Sequence, residues 1–472
     1  MLIILYKLFI ILKFKIKNNK FFKKYFFKIK KDLGKYKKNN IIFAQNLIIN
    51  VKKLFKIKWW NPLSGSVKIS GSKNAALPIL GAALLVNGKV TLHGMPKIGD
   101  VMTFLEIMED VWVVYSFEWN TLHFDASNLR KDNLDIEKLK KIRASIFLLA
   151  PLLHFFGSIS MPLPGGCVIG KRPIDDHING LERIWYTATH SEESIELDGN
   201  VAQWDRVLNA GFSVSWTENL LVANVLRKGT TTIELAAIEP HVMNLIDFLR
   251  AAGANIKMRY NHTIIVEWVE QLKDNFEFDV VADYIQSGTY MVLAALASKE
   301  YLDIHNARIE DLFIFIEKLK EAGVKVQDLW NDTLRVFKAE KLKAVKIQTN
   351  VFPGFPTDIQ APFGVLMTQA EWTNKIHEVL FENRLNFLYE LEKMGTNVAI
   401  LNPHEALVFG AKTLKGWVTL TSWDLRAGAA VVIAALIADG ESTVTNVEYI
   451  HRGYEDFVET LQKLWADIQE IK

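Results

Sequence analysis

The sequence predicts an α/β protein assembled from six units of about seventy residues each. Three observations predict it. A helical pattern ending in a short tripeptide recurs: "VWV" at Trp112, "IWY" at Trp185, "AGA" at Gly253, "AGV" at Gly323, "MGT" at Gly395 and "LWA" at Trp465. The central residues stand 73, 68, 70, 72 and 70 positions apart. Apolar residues at three- and four-residue spacing give way to short stretches of strict alternation, so each unit mixes helices with strands. Such a period is too long for a two-helix solenoid repeat and suits compact αβ units packed several to a domain.

The elements of a unit follow in a fixed order. An apolar helix comes first, as in "AALPILGAALLVN" (75–87), "NLLVANVLRK" (219–228) and "AGAAVVIAALIAD" (427–439). A turn follows, often with glycine, at Gly88, Gly229 and Gly440. Then come a short strand ("KVTLHG", "TTTIELA", "STVTNV") and a polar loop. A second, amphipathic helix follows ("DVMTFLEIMED", "HVMNLIDFLRAA", "EDLFIFIEKLKEA", "YEDFVETLQKL"), and strands such as "NIKMRY" and "HTIIVEW" close the unit. Glycine after a helix supplies the left-handed C-cap conformation. Tryptophan takes that place at 112, 185 and 465, where a bulky side chain at positive φ is strained.

Composition narrows the function classes. With 472 residues, half of them hydrophobic, the chain can bury two or more sizeable cores. A single cysteine, Cys167, excludes an intramolecular disulfide and a multi-cysteine zinc site, and fits a reducing, cytoplasmic compartment. No run of 18 uncharged apolar residues reads as a membrane span. The net charge of +3 is uneven. Residues 1–58 hold 17 lysines against one acid, Asp32, which leaves the rest of the chain acidic. This extension reads as disordered or loosely attached, either a poorly constrained tail or an amphipathic arm for membrane surfaces or RNA. It lacks the cleavage site of a signal peptide. An acidic body argues against a nucleic-acid partner, since phosphate contacts need positive faces.

The stretch "PLPGGCVIGKRPIDDH" (162–177) concentrates the chemistry. Gly165, Gly170 and Lys171 begin a Walker A pattern, but Arg172 stands where the magnesium-binding hydroxyl is required. Gly165-Gly166 alone reads as a turn. Pro173, Asp175 and Asp176 suit a helix start, and His177 would be a helix residue. A third reading is a reactive-thiol loop, with Lys171 and Arg172 lowering the Cys167 pKa.

Seven motifs then decide. "SGSKNAALPILGAALL" (70–85), "RASI" (143–146), "PGGCVIGKRPIDDH" (164–177), "FPTDIQA" (355–361), "LFENR" (380–384), "WDLRAGAA" (423–430) and "HRGYE" (451–455) occur in this order. Over about residues 62–472 the chain resembles the enolpyruvyl transferase family, in the branch acting on UDP-N-acetylglucosamine. The resemblance implies a two-domain inside-out α/β barrel of six βαβαββ-type repeats. The N-terminal half spans 73–281 and carries the cysteine lid loop, and 59–72 plus 282–472 form the C-terminal half. It implies the substrates phosphoenolpyruvate and UDP-N-acetylglucosamine, with no cofactor, no metal and no membrane insertion. The oligomeric state is open, with a monomer favoured.

Site residues follow by the same resemblance. Catalytic roles fall to Cys167, Asp358 and Lys73. Phosphoenolpyruvate is assigned to Lys73, Asn74, Arg172, Arg426 and Arg452. The nucleotide sugar is assigned to Asn74, Arg143, Arg172, Pro173, Ile174, Asp175, Asp176, Gly211, Phe212, Ser213, Val214, Asp358 and Leu380. Asp100, His177, Glu382, Arg384 and Asp424 are expected in support. Three departures from the family pattern stand out: "SVSWTEN", which brings Trp216 beside the uridine segment; His451 beside Arg452; and Tyr284 with Gln286, which removes an expected ion pair. The alternative reading is a degenerate relative retained for binding or regulation.

Overall fold

Alternation along the strands and all-round apolarity in certain helices decide how the layers stack. The computed structural model describes residues 53–58, 61–131, 134–162, 175–184, 186–190, 194–199 and 206–471. Among the described residues the strands form six separate sheets, five of four strands and one of three. None closes on itself, so a closed barrel is not seen among the described residues. Strand after strand shows one buried and one exposed face, as in Thr121–Asp125 and Leu54–Lys58.

In two segments the unit order is complete with all four strands in one sheet. Arg206–Asn209 leads through the helix Val214–Asn224 to a parallel strand, Thr230–Glu234. The amphipathic helix Pro240–Ala251 follows, then the hairpin Asn255–Arg259 and Thr263–Glu267. Lys346–Gln348, Thr357–Thr368, Thr373–His377, Phe387–Lys393, Asn397–Asn402 and Glu405–Phe409 repeat that order.

Two separate hydrophobic cores hold the buried residues. The first is built from residues 55–69 and 282–468, the second from residues 75–280. At the centre of the first lie the helices Tyr284–Ala297, Thr357–Thr368 and Leu425–Leu436, buried on all sides. Lys73–Val86 and Val214–Asn224 play this part in the second. A helix apolar all round must be covered on all sides, so helices lie inside and half-wet sheets outside.

The tail boundary needs correction. Residues 54–58 were expected in a loose extension, yet Leu54–Lys58 is a central strand between Glu441–Thr445 and Asp467–Ile471. Its alternation explains this, since Phe55 and Ile57 are fully buried while the lysines face outward. The helix expected over 219–228 runs instead from Val214 to Asn224, because Ser213 caps it.

Candidate active site

The chain passes between the two cores twice, side by side. Gly71 and Ala282 form an antiparallel bridge, the Ser72 N–H donates to the Val281 carbonyl (2.7 Å) and the Asp283 N–H to that of Ser70 (2.9 Å). Glycine is required at 71, because a Cβ there would lie 1.8 Å from the Gly94 carbonyl oxygen. Both passages open directly into helices, Lys73–Val86 and Tyr284–Ala297. Beside them lies a cleft of about 590 Å³, lined from both cores.

Cations and carboxylates from helix N-termini meet in this cleft. Asp100 stands in the first turn of Gly99–Glu109. It receives Lys73 Nζ at 2.6 Å, and Arg452 Nε and Nη2 at 2.6 and 3.3 Å. Burial pushes the Asp100 carboxyl up, but the Lys73 and Arg452 charges outweigh it and hold the group below its ordinary value. Asp358, in the first turn of Thr357–Thr368, is hydrogen-bonded by Arg384 Nη2 and lies 3.5 Å from Arg426 Nε. Burial would raise it too, yet the two guanidiniums hold it well below the carboxylate range. Arg426 is only 2% exposed. It also faces Asp283 Oδ2 at 3.5 Å and sits over the Tyr454 ring. Asp424, expected as a supporting acid, is the N-cap of Leu425–Leu436 and accepts from the Arg426 and Ala427 N–H groups at 2.7 and 2.9 Å.

On the other wall, Gly211 and Phe212 turn the chain at positive φ, and Ser213 caps the helix that opens into the cleft. Asn74, Arg143, Val214 and Leu380 also line the cleft. The Leu380 turn is set by Glu378, whose carboxylate accepts from the Leu380 N–H (2.8 Å) and the Thr357 hydroxyl (2.8 Å).

Several expectations change. His177 lines the cleft but is 2% exposed. Asn219 Nδ2 donates to its Nδ1 (3.2 Å), leaving Nε2–H to donate to Ser215 Oγ (3.1 Å). Burial first, then Arg143, pushes its pKa down to about 3, so it is a neutral support. Glu382 is exposed and lies outside the cleft lining. Trp216 does not obstruct the cleft, because its ring is buried edge-on to His177 against Gly180. His451 turns to Glu470 (3.0 Å), away from the Arg452 chemistry. Gln286 replaces the lost ion pair with neutral bonds, donating to Ser70 Oγ (2.9 Å) and the Gly453 carbonyl (3.3 Å). Cys167, Lys171, Arg172, Pro173 and Ile174 lie outside the described residues. Asp175 and Asp176 open the helix Asp175–Ile184, and their side chains lie outside the description.

Sequence reasoning missed an acidic pair on the same wall. Glu218 and Glu239 line the cleft, both nearly fully buried. Burial, and for Glu218 also its neighbour Glu239, raises both pKa values, that of Glu218 far above the usual. Glu239 Oε1 accepts from the Phe352 N–H (3.3 Å) of the other core. His241 is pushed down to about 4, chiefly by burial. Glu218 stands between two other polar residues, Thr217 and Asn219, so no local signal in the sequence marks it. Asp283, the partner of Arg426, was readable only as a helix cap.

The geometry can be set beside known proteins. A helices-inside, sheets-outside fold with cations gathered where two cores meet is the enolpyruvyl transferase fold. The enolpyruvyl transferase NikO from Streptomyces tendae superposes with a TM-score of 0.82 over 89% of this chain and 99% of that one, at 24% identity. The family model for EPSP synthase (3-phosphoshikimate 1-carboxyvinyltransferase) matches residues 57–461. The UDP-N-acetylglucosamine 1-carboxyvinyltransferase of Halothermothrix orenii is 39% identical over 89% of this chain and 99% of its own length. That of Glaesserella parasuis is 40% identical over 87% and 96%. The chain belongs to the EPSP synthase family, among the UDP-N-acetylglucosamine 1-carboxyvinyltransferases.

Proposed function

We propose that the protein transfers the enolpyruvyl group of phosphoenolpyruvate to the 3-hydroxyl of UDP-N-acetylglucosamine and releases phosphate, the committing step of peptidoglycan synthesis. The observation that carries this reading is the paired constellation Lys73–Asp100–Arg452 and Arg384–Asp358–Arg426 in one cleft. Phosphoenolpyruvate is highly anionic, and a preorganised clamp of cations both binds it and stabilises charge as it moves. Lys73, Asn74, Arg172, Arg426 and Arg452 hold phosphate and carboxylate. The nucleotide sugar lies along Arg143, the 172–176 segment, 211–214, Leu380 and Asn74, with its diphosphate near the N-terminus of Val214–Asn224, where helix amides favour anions.

The reaction adds, then eliminates. The sugar oxygen bonds to the central carbon of phosphoenolpyruvate and Cys167 delivers a proton to the methylene carbon. Asp358 takes the hydroxyl proton. The Cys167 thiolate then takes back a proton from the methyl group, the carbon–oxygen bond to phosphate breaks, and phosphate leaves with the proton that Asp358 took. Asp358 is a poor base while two arginines hold it. An anion that draws Arg426 away raises its basicity, which ties proton transfer to a filled site. His177, Asp100, Arg384 and Asp424 support these groups, and Glu382 remains outside.

The two cores serve as the two globular halves, each of three repeats arranged inside-out, closing over substrate with the cysteine loop as lid. The protein works in the cytoplasm and serves cell-wall growth, shape and division. Among the described residues no helix is long and apolar enough to cross a membrane. The test is phosphate release on mixing both substrates with folded protein; release at background rate sinks the proposal. Intact mass should show a phosphoenolpyruvate adduct on the wild type that Cys167→Ala lacks; an adduct persisting in the variant removes Cys167 from its role.

A further inference from the structure

Arg452 must reach from the first core to Asp100 in the second, and its backbone has to be seated for that reach. The stretch 451–455 is held at successive points. The Gly453 carbonyl accepts from Gln286, and the Tyr454 hydroxyl meets Thr289 Oγ1 at 2.9 Å. Glu455 then crosses to the other core. Its Oε1 accepts from the Lys97 backbone N–H (3.0 Å), and both its oxygens accept from Asn120 Nδ2 (2.9 and 3.0 Å). Lys97 lies three residues before Asp100, and Asn120 lies in the turn between Val114–Glu118 and Thr121–Asp125. One carboxylate therefore ties the Arg452 segment to the loop that presents Asp100.

We propose that Glu455 is a positioning residue for the anion subsite: it sets Arg452 against Asp100 and Lys73 without touching substrate. This rests on Arg452 being a phosphoenolpyruvate-holding group. The test compares Glu455→Ala, Asn120→Ala and Arg452→Ala by steady-state phosphate release. Glu455→Ala should raise the KM for phosphoenolpyruvate roughly tenfold, the KM for the nucleotide sugar less than about twofold, and leave the Tm in place. Asn120→Ala should act in the same direction, and the double variant should be less than additive. If Arg452→Ala leaves that KM unchanged, the site reading fails. If Arg452→Ala raises it and Glu455→Ala does not, the positioning role fails alone. Equal rises in both KM values with a lowered Tm also overturn it, since they mark a purely structural contact.

A separate observation concerns tryptophan. Trp112, Trp119, Trp330, Trp372, Trp417 and Trp465 stand at φ of 70°, 56°, 69°, 68°, 61° and 75°. A bulky residue there is a true outlier. All six are between 48% and 90% exposed, so burial gives little back. The repeat shows what these places require. Trp112 and Trp465 stand where other units have Gly253, Gly323 and Gly395, at φ of 95°, 96° and 86°. Trp372 precedes a strand as Gly229 and Gly440 do, at 104° and 112°. We infer that the codon behind these tryptophans is read as glycine in the cell that makes this protein. Peptide mass mapping of the protein purified from its own cells decides it. Glycine at 112, 372 and 465 is expected; tryptophan at any of the three overturns the inference.

Discussion

Asp358 shows how a residue's neighbours decide its role. The motif "FPTD" marks it, but only the folded chain brings Arg384 and Arg426 to its two oxygens. Asp358→Asn keeps the shape and removes the proton acceptor. It should lower kcat by roughly 10²–10⁴ with little change in either KM, read by phosphate release. Glu218 offers a second test. Its folded pKa is raised, so the native state binds a proton that the unfolded chain gives up above about pH 4.5. Its contribution to stability is therefore complete below that value and declines as pH rises towards the folded pKa. Glu218→Gln should raise Tm at pH 8 and not at pH 4; an equal shift at both values contradicts the protonated assignment. Motif residues such as Lys73, Arg143 and Arg426 were legible because their chemistry stands in recognisable strings. Glu218, Glu239 and Asp283 were not, since a carboxylate buried by the fold looks in sequence like any other.

At the scale of elements, helix starts do most of the positioning. Asp100 and Asp358 occupy first turns, and Ser213, Asp283 and Asp424 are side-chain caps. An N-terminus favours negative charge and gathers it at one place. Helix and strand identities were readable from periodicity, while boundaries shifted by several residues where a cap such as Ser213 won over the apolar run. Two of the strained tryptophans, Trp112 and Trp465, follow helix ends. In protein made with tryptophan at these positions, Trp112→Gly and Trp465→Gly should each raise unfolding free energy by about 1 kcal/mol, the usual order for a non-glycine residue held left-handed. Denaturant midpoints that fall or stay unchanged show that the strain is compensated.

The whole molecule depends on two adjacent crossings between two cores. Residues Lys53–Ile471 form one compact unit, and the cleft exists only because both cores contribute walls. At the crossing, Gly71→Ala places a methyl group on the Gly94 carbonyl. A backbone oxygen cannot step aside cheaply, so the variant should lose roughly 1–3 kcal/mol of stability or more, with a lower thermal midpoint by circular dichroism. An unchanged midpoint means that the crossing is more pliant than its geometry implies.

The sequence by itself determined the mixed α/β class and the motif residues, because hydrophobic period and short polar strings are local properties. The tertiary structure decided that Leu54–Lys58 is a central strand, that His177 is neutral and Trp216 is out of the way, and that Glu455 spans the cores. Each of these depends on burial or on partners that reach up to 358 positions along the chain, as from Glu455 to Lys97. Local pattern does not encode such distances; packing does.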